Sequence, residues 1–169
     1  MRRLFSATAL LAGVVASIAT STTNPPTSSV QLPGPGADLD ALGIQRTVVD
    51  VFATQSPSGS FAGAVMVSAD ATSVFGEATV TASLRVVDAF GSTEIARDTA
   101  VASPGTDGDL FLFDDLDAFA GCASGATCEQ AFEVVFETTG EVAIDWELTA
   151  ELYDLDDIGR TSTLEVSTR

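Results

Sequence analysis

Along most of this chain, apolar and polar residues alternate one by one. The clearest run is Val142 to Tyr153: Val142, Ile144, Trp146, Leu148, Ala150 and Leu152 fall on one side, and Asp145, Glu147, Thr149 and Glu151 on the other. Successive side chains of an extended strand point to opposite faces, so this pattern writes one buried face and one wet, acidic face. Phe132, Val134 and Phe136 alternate with Glu133, Val135 and Glu137 in the same way, and Thr139-Gly140-Glu141 supplies turn chemistry between the two runs. The expectation is an antiparallel hairpin. Upstream, Ala78, Val80, Ala82, Leu84 and Val86 alternate with Thr79, Thr81, Ser83, Arg85 and Val87, and a turn around Gly91 leads into Thr93–Ala102. Ser103 to Gly108 reads as a loop, and Leu110–Phe113 as a short apolar strand. Further strands are expected near Gln45–Thr54, Phe61–Ser68 and Thr161–Thr168.

Helical periodicity is almost absent. About eight short strands separated by turns predict an all-β fold, an antiparallel β-sandwich of Ig-like or jelly-roll-like type, with a closed barrel as the less favoured alternative. No repeat is regular enough for a solenoid or propeller, and no stretch carries a motif that points to a family.

The first residues depart from this pattern. Arg2 and Arg3 precede an apolar and small-residue stretch from Leu4 to Ile18, and Ser17 and Ala19 place small side chains before a cleavage point after Ala19. These are the three parts of an export signal, and the stretch is short for a membrane span. Residues 1–19 are therefore expected to be a cleaved signal peptide, leaving no membrane span, with the general secretory route as the default over the twin-arginine one. Residues 20–43 are rich in Thr, Ser, Pro, Gly and Ala, with Pro25, Pro26, Pro33 and Pro35. Proline lacks an amide donor, so this segment is expected to stay out of a sheet interior, as a flexible or polyproline-like leader with one helical turn at Asp38–Leu42. Residues 44–169 then form a single domain.

Composition narrows the chemistry. The chain has 169 residues, with 7 Lys+Arg, 24 Asp+Glu and no His; all the basic residues are Arg. Removing residues 1–19 leaves 5 Arg against the 24 acids, a net charge of −19. Without His or Lys, Ser-His-Asp and Cys-His nucleophile systems, lysine Schiff bases and His-ligated metals are excluded. So acidic a chain also lacks the cations that a nucleic-acid surface needs. Cys122 and Cys128 are the only cysteines. In an oxidising compartment an even pair bridges, so a local disulfide is expected, worth about 2 kcal/mol for so short a loop. Trp146 does not lie between two distant cysteines as in antibody domains, and reads as a core residue.

The only candidate chemistry is carboxylate. One run holds Asp107, Asp109, Asp114, Asp115 and Asp117; the other holds Asp154, Asp156 and Asp157. Both follow apolar strands, and closely spaced loop Asp residues can supply the oxygens Ca²⁺ takes. Neither run fits the Asp-x-[Asp/Asn]-x-[Asp/Asn]-Gly loop, and Asp also favours solvated turns through its own backbone hydrogen bonds. Paired carboxylates could also run glycoside hydrolysis, but one Trp and one Tyr offer few platforms for sugar rings. The sequence reading is thus a secreted, periplasmic or cell-surface non-catalytic protein with a binding, adhesive or structural role, no resident cofactor and a protein or cell-surface partner. The alternatives are a calcium-dependent binding module using those eight Asp residues and a small carboxylate hydrolase.

Overall fold

The computed structural model describes residues 26, 28–39, 42–54, 61–115, 123, 125–154 and 163–169. Among them there is no helix. Ten strands follow in chain order: β1 (Ser28–Pro33), β2 (Ala37–Leu39), β3 (Ile44–Thr54), β4 (Phe61–Thr72), β5 (Ala78–Asp88), β6 (Gly91–Ala102), β7 (Gly108–Asp115), β8 (Thr127–Thr138), β9 (Val142–Asp154) and β10 (Thr163–Thr168). They form two five-stranded sheets. The first has the order β1-β9-β4-β7, with β2 beside β1 on the same edge of β9; the second has the order β10-β3-β8-β5-β6. Every pairing is antiparallel.

The alternation along the chain becomes the division between inside and outside. Val65, Val67, Leu112, Ile144, Leu148 and Leu152 of the first sheet share one buried cluster with Val49, Val51, Val80, Leu84, Phe132 and Phe136 of the second. Phe136 and Trp146 meet across the two sheets, with ring centroids 5.9 Å apart. Such tilted aromatic pairs add stabilisation to the area they bury.

The edges of the two sheets lie beside one another, β1 near β10 and β6 near β7. On the second side, Asp98 of β6 accepts from the backbone N–H of Phe111 at 2.9 Å and of Thr99 at 2.8 Å. A charged side chain turned onto an edge strand's free N–H removes one donor that would otherwise be open to strand addition.

Two expectations are corrected. First, Ser28–Pro33 and Ala37–Leu39 of the anticipated flexible leader are strands, and the anticipated helical turn at Asp38–Leu42 is replaced at its start by β2. The proline argument holds only in its weaker form: β1 and β2 are edge strands, where a missing donor costs nothing. Gly34, between them, donates its N–H to the Trp146 carbonyl at 2.8 Å, and the Pro35 carbonyl accepts from Trp146 Nε1 at 3.2 Å and Gln45 Nε2 at 2.9 Å. Second, β8 and β9 are not a hairpin. β8 pairs with β3 and β5, and β9 with β1, β2 and β4. The Thr139–Glu141 connection carries the chain from one sheet to the other. Alternation says which face of a strand is buried, and both strands bury theirs in the same core; it does not say which strand lies alongside. β8 begins at Thr127, so Cys128 lies on a strand, half-buried against the core. Cys122 and residues 1–19 lie outside the described residues.

Gly34 has no room for a side chain, since an added Cβ would stand 1.8 Å from Cε2 of the Trp146 indole. Gly34→Ala should therefore destabilise the fold by about 1–3 kcal/mol through overpacking. Because Trp146 is the only tryptophan, a chemical melt followed by its fluorescence should show the lower midpoint, together with a red-shifted native spectrum.

Candidate functional site

Strand register builds the outer surface of the first sheet row by row. Asp145 of β9, Asp70 of β4 and Asp109 of β7 stand directly opposite one another across three neighbouring strands, all exposed. The next outward row is Pro33, Glu147, Ser68 and Phe111, and the one after it Gln31, Thr149, Met66 and Phe113. Phe111 is 58% exposed and Phe113 50% exposed. Beside them, Pro33, Ser68, Asp70, Asp145, Trp146 and Glu147 line a shallow depression of about 350 Å³. Exposed aromatics next to an acidic hollow on one sheet face make this surface the candidate site.

Its electrostatics are one-sided. The five strands of this sheet contain nine acids and no basic residue. Arg46, Arg85, Arg97 and Arg169 belong to the other sheet or follow its last strand, and each is already engaged: Arg46 and Arg85 by Glu133, Arg97 by Glu94, and Arg169 by Asp50 and Glu129. Among the described residues no cation pairs with Asp70, Asp109 or Asp145. Like charges directly opposite on neighbouring strands are destabilising, so this row breaks a local rule of sheet stability without local compensation, as residues serving a function often do.

The Asp residues expected to form a shared calcium site fall at two ends of this sheet. Asp107 precedes β7 and accepts from Thr72 Oγ1 at 3.2 Å. Asp109 is opposite Asp70, whereas Asp115, at the other end of β7, is opposite Ala64. Six residues of extended strand span roughly 20 Å, so Asp107 and Asp109 are not brought together with Asp114 and Asp115. Asp154 ends β9 opposite Phe61; it therefore lies towards the same end of the sheet as Asp115. Asp117, Asp156 and Asp157 lie outside the described residues. Among the described residues, no group of three or more His, Cys, Asp or Glu is arranged to hold a metal ion.

Sequence reasoning found Asp109 and missed Asp70, Asp145, Glu147, Phe111 and Phe113 as a site. Each of the missed acids is a single polar position in an alternating strand, and only the register places them side by side. The signal that was present is the pair Phe111 and Phe113, which alternates with Leu110 and Leu112 and leaves an apolar residue on both faces of β7.

Elsewhere on the same face, the Tyr153 hydroxyl donates to Glu151 Oε2. That hydrogen bond, with partial burial and the adjacent negative charge, pushes the phenol up from 10.0 to about 12.

No family model matches the chain, and no curated protein or solved structure is significantly similar to it. What fold and site define is an acidic, all-β protein of two antiparallel sheets, one of which turns an apolar and anionic face outward.

Two outcomes follow. Asp70→Asn removes the central charge of the row and should raise stability by about 0.2–1 kcal/mol, with the gain shrinking as salt screens the repulsion; denaturant midpoints at low and high NaCl check both. Tyr153 is the only tyrosine, so near-ultraviolet phenolate absorbance reports it alone. The native protein should titrate at about 12 rather than 10.0, and Glu151→Gln should lower that midpoint. Because the folded value is raised, this contact stabilises the fold fully below the unfolded pKa and is lost as pH rises through the folded one.

Proposed function

We propose that this is an exported, non-catalytic β-sandwich protein that binds a protein or cell-surface partner through the outer face of its β1-β9-β4-β7 sheet. The observation that carries the reading is the pair of half-exposed aromatics, Phe111 and Phe113, flanking Met66 and the acidic depression. Sheets of soluble proteins normally turn polar residues outward; contiguous exposed apolar groups with a polar rim mark contact surfaces. The two antiparallel sheets and their common core support the sandwich. The Arg-apolar-small pattern of residues 1–19 supports export, and export supports a Cys122–Cys128 bridge. The calcium-dependent form rests on the two Asp-rich runs of the sequence alone.

Co-sedimentation of residues 20–169 with intact cells of the producing organism tests the proposal. The native protein should pellet with the cells, and Phe111→Ser/Phe113→Ser, with an unchanged melting temperature, should stay in solution. Equal behaviour of the two proteins would overturn the reading. Material recovered from outside the cytoplasm should lack residues 1–19 and resist thiol alkylation. Loss of pelleting in chelator, restored by Ca²⁺ and not by NaCl, would replace the metal-independent reading with the calcium-dependent one.

A further inference from the structure

Resting on the reading of this face as a binding surface, we infer that its partner is a cationic polypeptide segment, in which Arg or Lys side chains alternate with apolar ones. The apolar part of the argument is Phe111, Phe113 and Met66, which occupy adjacent outward positions on β4 and β7 and need an apolar counterpart to leave water. The charge part selects what that counterpart carries. One row away stand Asp109, Asp70 and Asp145, and Glu147 lies between that row and Thr149 on β9. An extended segment laid across the strands would meet apolar groups and carboxylates within two successive rows. Long basic side chains suit both, since their methylene stems pack on apolar surface while their heads reach charge.

Other occupants fit less well. An anionic membrane or a nucleic acid would be repelled by a sheet with nine acids and no cation. Among its described residues a second copy of the chain offers Arg46, Arg85, Arg97 and Arg169, and each of these is already engaged by a carboxylate of its own sheet or its flank. A cationic partner would also relieve the repulsion within the Asp row, so binding and local stability would be coupled.

The probe is a synthetic peptide of alternating Arg and Leu, compared with its Glu-for-Arg and Ser-for-Leu counterparts. Binding is followed by fluorescence anisotropy and by amide chemical shifts of the full mature chain. The Arg–Leu peptide should bind, weaken with rising NaCl, and perturb Ser68–Asp70, Phe111–Phe113 and Asp145–Glu147. Asp70→Asn/Asp145→Asn, substitutions that leave the core untouched, should weaken it by about tenfold or more, and so should Phe111→Ser/Phe113→Ser. Neither counterpart should match the Arg–Leu peptide. Equal affinity for the Glu peptide, equal affinity of the Asp70/Asp145 variant, or shifts confined to the β10-β3-β8-β5-β6 sheet would overturn the inference. Should cells retain the native protein through Phe111 and Phe113 while the Arg–Leu peptide does not bind, the contact surface stands and its cationic partner falls.

Discussion

Trp146 is where three parts of the molecule meet. Its ring packs on Phe136 of the opposite sheet, its indole N–H reaches the Pro35 carbonyl, and Gly34 lies flat against it. A single sheet with one apolar face cannot stay in water alone; burial against a second sheet supplies the main favourable term. The Phe136–Trp146 contact joins the two sheets, and the Gly34–Pro35 contacts bring the N-terminal strands onto the same centre. With β1 and β2 in place, β9 lies inside its sheet instead of at its edge, and its outward row of Asp145, Glu147 and Thr149 becomes the middle of a surface.

The candidate face depends on that arrangement. β4 lies between β9 and β7, so its alternating outward residues take partners on both sides, and Asp70 meets Asp109 and Asp145 at once. The same geometry lines up Met66 with Phe113 and Ser68 with Phe111. The rigid ladder, rather than a loop, sets the spacing of charge and aromatic ring. A ligand there would meet a prepared surface, which reduces the ordering cost of association.

The two outer faces differ in how their charges are handled. On the β10-β3-β8-β5-β6 sheet, arginines interleave with Glu133, Glu94, Asp50 and Glu129. The exposed pairs Arg97–Glu94 and Arg169–Glu129 contribute little individually, and with the largely buried Glu133 and Asp50 they balance charge locally. On the other sheet no cation among the described residues pairs with the Asp109–Asp70–Asp145 row, so there the acidity of the chain is directed outward. A net charge of −17 alone speaks to solubility; its distribution over one face is what speaks to recognition.

The chain's own pattern determined the fold class and most of the inside–outside division. Val142 to Tyr153 and Ala78 to Val87 could be read residue by residue because strand side chains alternate with period two whatever the neighbouring strand is. The Arg-only, His-free composition likewise excluded whole chemistries before any fold was known. Pairing was decided only by tertiary structure. The Thr139–Glu141 connection has the chemistry of a hairpin turn, yet β8 and β9 belong to different sheets, because both faces are buried equally well either way and the choice rests on contacts distant in sequence. Residues 28–39 looked like a leader because their prolines forbid a central strand; only the open edge of β9 and the Trp146 ring made a place for them. The Asp109–Asp70–Asp145 row has no trace in sequence proximity, since its members come from three strands and meet only through register.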